Sequence, residues 1–471
     1  MSEAPVPPQD PAALPRPSAP SAAEQVASPE SYLDLGVAPS APAPLASERP
    51  PDEPPIAAEA PHDPYAALRL PDFRFFSLGR NLSALGDNMQ GAAVAYELYD
   101  RTSEPLALAF VGLAQAIPIF LFALLAGHVA DSFSRRKVAA LAQLAFCVCS
   151  FALALLSARS APTWLYYVCL FCSATARAFG NPARGALLPQ IVPPKLLGSA
   201  ISWDSSIRRV AVMSGAAAGG LALAILHHAY LVYLLNTALG AISAGTLLFI
   251  REAGRASDRR EPLTWATLAA GVHYILRADI ILATISLDLF AVLLGGATTL
   301  LPVYARDILH VGKAEFGWMR AAPSAGALVM ALSLAHVAPF RRPGRTMLWA
   351  VAGFGVATVV FGFSRSLWLS LAALILTGAL DMISVVVRQT LIQTQTPNAM
   401  RGRVNAVNSV FISSSNEIGG FESGVVAQLF SPVVSVVSGG IGSVLVVTAA
   451  ALIWPSLRNY ESTGDGNRLR R

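Results

Sequence analysis

Charge is scarce in this chain. Asp, Glu, Lys and Arg together make up 13% of its 471 residues, while 54% are hydrophobic; soluble domains carry roughly a quarter charged. With a mean hydropathy of +0.52, a soluble domain is excluded. The apolar runs are continuous rather than alternating, which argues against a membrane β-barrel and for membrane helices. Cysteine is rare as well. Cys147, Cys149, Cys169 and Cys172 all lie inside apolar runs, and the C-x-x-C at 169–172 lacks the second pair that a metal site needs. These residues read as small buried hydrophobes, with no metal, cofactor or disulfide implied. No nucleotide loop of the Walker type occurs, which argues against direct ATP drive. No H-E-x-x-H or G-x-S-x-G occurs either, so the chain is not read as an enzyme.

Aromatic residues are nearly missing from the first 66 positions, which hold ten acids, two Arg and 17 of the 33 prolines. Such a segment cannot bury a core and is expected to form a disordered cytoplasmic tail. It also lacks the pattern of a secretory signal. The net charge of +5 therefore conceals −8 in this tail and +13 in the rest. The positive excess is spread over short loops rather than gathered in one patch, so it reads as membrane topology and not as nucleic-acid binding.

What the chain has in abundance is long apolar runs, twelve of them. They lie at about 73–98, 106–130, 138–156, 163–188, 197–225, 228–250, 280–305, 316–337, 346–363, 367–393, 400–430 and 433–453. A helix rises ~1.5 Å per residue and the hydrocarbon core is ~30 Å thick, so runs of this length can cross a bilayer. An even number of spans puts both termini on one side. Loops on that side hold 19 Lys and Arg against five on the other, which predicts cytoplasmic termini in a multi-pass plasma (bacterial inner) membrane protein. The expected organisation is a tail at 1–66, a six-helix bundle at 67–250, a linker at 251–278, a second bundle at 279–457 and a C-terminal tail at 458–471. The linker should carry an amphipathic surface helix at 263–277, with Trp265, Leu268, Val272, Ile275 and Leu276 largely on one face.

The turn at 127–137 holds Gly127, Asp131, Arg135, Arg136 and Lys137 between two spans. G-x-x-x-D-x-x-x-R-R-K in this place resembles the signature loop of the major facilitator superfamily. A shift of 204 residues superposes Arg184 on Arg388, Pro193 on Pro397, Gly198 on Gly402, Gly215 on Gly419 and Gly220 on Gly424. A shift of 208 sets His128-Val129-Ala130 on His336-Val337-Ala338, with Pro339 where the first copy has Asp131. Parallel six-helix halves are the architecture of that superfamily. The resemblance therefore implies an all-α membrane protein of twelve transmembrane helices in two pseudo-symmetric six-helix bundles. It narrows to the branch that includes the bacterial enterobactin exporters, on Leu85-Gly86-Asp87, Pro182-Ala183-Arg184, Arg401-Gly402-Arg403 and the stretch Ser415-Asn416-Glu417-Ile418-Gly419-Gly420-Phe421-Glu422. It departs at Ala216, where exporters of the superfamily often carry Pro.

Ionisable groups at membrane depth are costly and usually face a wet interior. Asp87, Glu417 and Glu422 are the candidates for proton coupling. Arg80, Gln90, Arg177, Asn181, Arg184, Asp288, Asp381, Arg388 and Asn416 are candidates for lining the cavity. Asp204 and Arg208, spaced i,i+4, are expected to pair within one helix. The resemblance makes Gly127, Asp131, Arg135 and Arg136 a cytoplasmic gate, with Asp131 near the start of the eleventh span, around 400–403. The function expected is proton-driven export of a small amphipathic molecule, a siderophore or drug-like compound, by a monomer in the lipid bilayer. A same-fold importer is the second reading, and a scaffold or receptor that has kept the fold is the third.

Overall fold

The computed structural model describes residues 65–250, 265–336 and 340–461. The N-terminal tail to residue 64, the loop 251–264, Pro339 and the last ten residues lie outside the described residues.

The described chain is helical throughout, with no strand among the described residues. The helices are α1 Pro71–Thr102, α2 Pro105–Ser132, α3 Arg135–Ala158, α4 Thr163–Ile191, α5 Leu197–Leu226, α6 Ala229–Phe249, α7 Trp265–Arg277, α8 Asp279–Leu294, α9 Lys313–Ala335, α10 Pro343–Phe363, α11 Leu367–Gln395, α12 Asn398–Leu429 and α13 Pro432–Ile453. Proline opens α1, α2, α10 and α13, where its fixed φ suits the first turn and its missing N–H costs nothing. The sharp turns that follow α1, α3, α5 and the segment after α8 each use a left-handed residue: Ser103, Ser160, His227 and His310. All four turns fall at the same end of the bundle, where they keep the hairpins short.

Eight segments among the described residues are long and apolar enough to cross a membrane. Large apolar side chains face outward, among them Trp368 at 74% exposure and Leu141 at 70%, as lipid-facing surfaces require. Within the first half α1 packs on α5 and α6, α2 on α4, and α3 on α4 and α6; within the second, α9 packs on α11, and α10 on α11 and α13. The halves meet along two helix pairs, α2 with α12 and α5 with α9.

The repeat is visible in the packing. Gly215 of α5 lies against the Leu85 backbone of α1, and Gly419 of α12 against the Leu293 backbone of α8. Gly220 of α5 meets Gly317 of α9, and Gly424 of α12 meets Ala109 of α2. These glycines stand 204 residues apart, and their partners Leu85 and Leu293, or Ala109 and Gly317, stand 208 apart. The two offsets thus pick out equivalent contacts in the two halves.

One element departs from expectation. The seventh span, expected as one helix over 280–305, breaks after Leu294 at Gly295 and Gly296. It resumes through a 3-10 turn, Ala297–Leu300, and a π turn, Tyr304–Ile308. Gly296 lies so close to Ser423 and the Gly419 carbonyl of α12 that a side chain there would overlap them. The break brings Thr298 and Thr299 to the interface between the halves.

α7 is set apart from the long helices and rests on α12. Its Gly271 lets the Arg403 carbonyl and Val407 approach, and its Ile275 is buried.

Candidate functional site: a charged cavity between the halves

A cavity of about 310 Å³ lies between the halves. From the first half α1 contributes Asp87, Asn88 and Gln90, α2 contributes Gln115, and α4 contributes Ser173 and Arg177. From the second come Thr298 and Thr299 beyond the helix break, Arg320 of α9, and Asn416 and Glu417 of α12. Two carboxylates and two guanidiniums therefore converge, one of each sign from each half. Arg177 donates to Gln115 Oε1 at 2.5 Å. Glu417 lies in the field of both Arg177 and Arg320, and Asp87 in that of Arg177 and Arg184. Arg177 thus faces an acid of its own half and an acid of the other. Asp87 Oδ1 is buried with no hydrogen-bond partner among the described residues, which leaves it able to accept from a proton-bearing group that enters the cavity.

Gly112 of α2 stands directly behind this site. A side chain there would press on the Glu417 carbonyl and the Phe421 amide of α12. A second chamber, of 180 Å³, adjoins the cavity on the side of the second half. It holds Asp381 and shares Thr298, Thr299 and Asn416 with the first. Asp381 stands 204 residues after Arg177, so the pseudo-symmetric position carries the opposite charge.

The other candidates are placed elsewhere. Asp288 and Arg388 form a buried ion pair between α8 and α11. Arg80 of α1 pairs with Asp204 of α5 at 2.7 Å, so Asp204 bonds across helices rather than to Arg208. Asp204 is buried, and the attraction of Arg80 from the facing helix offsets the cost of removing the carboxylate from water. Arg184 donates to Gln143 of α3, which also accepts from Ser83. Gln90 lines the cavity yet is also held by Ser150 and Asn236 in a buried triad. Asn181 is exposed. Glu422 is half-buried and accepts from the Ser423 hydroxyl at 3.4 Å. In the 127–137 turn Arg135 donates to the Ala186 carbonyl of α4 at 3.1 Å and Arg136 to the Ile250 carbonyl after α6 at 2.7 Å. Both cations meet the carbonyl-rich ends of helices of their own half. Gly127 lies in the last turns of α2; the side chain of Asp131 lies outside the described residues.

Sequence reasoning passed over Glu97. It is buried near the end of α1 and accepts from Arg101 (2.5 Å), Ser157 (2.7 Å), Tyr166 (3.1 Å) and Tyr233 (2.6 Å). This cluster braces an end of the bundle at which several polar contacts join the halves. There Tyr99 donates to Asp307, Arg306 lies 3.6 Å from Asp100, and Lys313 donates to the His227 carbonyl at 3.1 Å. Leu106 N–H donates to Gln428 at 3.3 Å, joining α2 to α12.

Comparison with known proteins agrees with this architecture. A family model described as transmembrane secretion effector matches residues 62–468. The enterobactin exporter EntS of Shigella dysenteriae serotype 1 (strain Sd197) is 26% identical over 395 residues, covering 83% of this chain and 94% of that protein. Among solved structures, a D-xylose-proton symporter matches with a TM-score of 0.64 at 14% identity, over 83% of this chain and 99% of the other. A bacterial homologue of the iron transporter ferroportin in an inward-facing state matches with 0.62 at 18% identity, over 83% and 99%. Long helices in two repeated halves among the described residues, a charged cavity between them and a family match across nearly the whole helical region lead to one conclusion: the chain belongs to the transmembrane secretion effector family of major facilitator transporters.

Proposed function

We propose that this chain is a proton-driven exporter of small amphipathic molecules, siderophore or drug-like, and not an enzyme. It works as a monomer in a plasma (bacterial inner) membrane with both termini cytoplasmic. The observation that carries the reading is the cavity in which Asp87 and Glu417, one from each half, face Arg177 and Arg320. Antiport requires cargo and proton to compete for the same groups. Hydroxyl, amide or ammonium donors of the cargo occupy Asp87 and Glu417 when these are ionised, and protonation displaces them. Alternating access then follows from rocking one half on the other about this site. The close contacts gather at the end that carries the left-handed turns, which the charge distribution assigns to the outside. The state described here is therefore the one closed to the outside. Asp131 holds the opposite, cytoplasmic end when that end closes, by meeting the positive N-terminus of α12.

The relatives' names supply one probe, enterobactin, and ethidium supplies an amphipathic cation. In everted membrane vesicles an acid interior should drive accumulation of at least one of them, collapsing with a protonophore. Asp87→Asn and Glu417→Gln, tested singly, should each reduce gradient-driven accumulation to the passive leak. Normal coupled transport in both variants would sink the assignment. Ala216, buried where exporters often carry Pro, weakens the inference of export over import. Accumulation by right-side-out vesicles and not by everted ones would decide for import.

A further inference from the structure

Two grooves flank α10 on the outer surface of the second half. One, of about 400 Å³, runs between α10 and α13 along Leu348, Ala352 and Val444 and ends at Arg345 and Arg458. The other, of about 470 Å³, runs between α10 and α11 along Val356, Val360 and Leu376 and carries no charged residue. Trp349 and Ala352 line both grooves, and Trp349 stands out between them at 73% exposure. At 1.5 Å per residue the first groove follows α10 for roughly 10 Å, from Arg345 to Ala352, and the second for roughly 16 Å, from Trp349 to Val360. One leaflet of hydrocarbon is about 15 Å deep, so the second groove matches the length of an acyl chain and the first takes the part of a chain next to the headgroup.

The cationic end is held in place by the backbone. Gly344 lies so close to the Leu457 carbonyl that a side chain there would overlap it, and Leu457 is fully buried. Arg345 and Arg458 each follow one member of this contact, and both line the same groove. The neighbouring Arg342 already pairs with Glu461 at 2.7 Å. Arg345 and Arg458 have neither an ion pair nor a side-chain hydrogen bond among the described residues. Arg345 lines the groove from the first turn of α10, whose N-terminus has no side-chain cap and adds further positive potential, and Arg458 lines it from the short helix Pro455–Arg458 that follows α13.

Two guanidiniums at the end of one apolar groove, with a second groove beginning about one turn further along α10, match one kind of molecule in both charge and shape. We propose that this surface binds an anionic phospholipid, with its phosphate between Arg345 and Arg458 and its acyl chains on either side of Trp349. A zwitterionic lipid presents the same phosphate with a neighbouring ammonium that the two Arg repel. Preference for net negative headgroups is therefore built into the site.

The test uses the full chain, stripped of lipid in detergent and titrated with phosphatidylglycerol or phosphatidylethanolamine, with bound lipid counted by native mass spectrometry. The phosphatidylglycerol should bind roughly 10–30-fold more tightly, the factor expected for two cations close to an anionic headgroup. Arg345→Gln with Arg458→Gln should remove most of that preference, whereas Arg159→Gln at the opposite end should leave it unchanged. Ala352→Trp fills both grooves while keeping both charges, and it should abolish retention of phosphatidylglycerol. Equal binding of the two lipids by the unaltered chain would overturn the proposal. So would a preference that survives the double substitution, or displacement of the lipid by millimolar inorganic phosphate, which would mark a site for free anions.

Discussion

At the scale of single residues, the chain places ionisable groups in two different kinds of surroundings. Asp288 with Arg388 and Arg80 with Asp204 are closed pairs, each carboxylate matched by one guanidinium inside its own half. Asp87, Arg177, Arg320 and Glu417 instead stand around open space, with an Asp87 oxygen left unbonded. Breaking a closed pair removes a buried partner and should cost stability; neutralising an open acid should leave the fold intact and uncouple transport. Glu97 belongs with the closed set. Glu97→Gln exchanges an acceptor of four hydrogen bonds for a neutral amide that suits only some of the donors. It should destabilise the protein by about 1–3 kcal/mol, read as a lowered unfolding temperature in detergent, and an unchanged temperature would contradict the bracing role. Asp87 and Glu417 were legible as candidates because an acid at membrane depth is costly and calls for a partner or a wet interior. Glu97 was not, since with Arg101 four residues on it looks like an ordinary ion pair at a helix end.

At the scale of elements, the sequence disclosed the helices and their repeat but not how they break or cross. Twelve apolar runs and the 204- and 208-residue offsets were readable, and the offsets reappear as equivalent glycine contacts. The interruption at Gly295 and Gly296 was hidden, because two glycines in an apolar run fit a helix tolerably until the neighbouring α12 presses against them. Without that break Thr298 and Thr299 could not be assigned to the cavity. Arg320 of α9 stands beside Gly91 of α1 and in the field of Glu417, a meeting that depends on how the helices cross. Gly317 and Gly220 form the crossing of α9 with α5. Gly317→Val should force the helices apart and bias the protein against closure at the end carrying Ser103. A cysteine introduced at Ser103 should then be labelled faster by a membrane-impermeant maleimide, and an unchanged rate would refute the crossing as a point of closure. At the other end Asp131→Asn should leave expression and folding unchanged while lowering transport. Full turnover would show that the 127–137 turn serves only to tie α4 and α6 together through Arg135 and Arg136.

At the scale of the whole molecule, the two halves are nearly matched in backbone and unlike in charge. Arg177 and Asp381 occupy equivalent positions with opposite sign, and Asp131 has Pro339 as its counterpart in sequence. In the function proposed above, a symmetric scaffold lets the halves rock between two similar packings, and the asymmetric charges decide what the motion is coupled to. The central claim is that protonation of the inter-half cavity biases that rocking, and it can be tested without knowing the cargo. Spin labels placed across the halves at both ends, one pair at Ser103 and Ser366 and the other at Ser134 and Ser333, report the two openings by distance. Between pH 5 and pH 8 the distributions at the two ends should shift in opposite senses in the unaltered chain, and stop shifting when Asp87→Asn is combined with Glu417→Gln. Distances that ignore pH, or a pH response that persists in the double variant, would contradict the account.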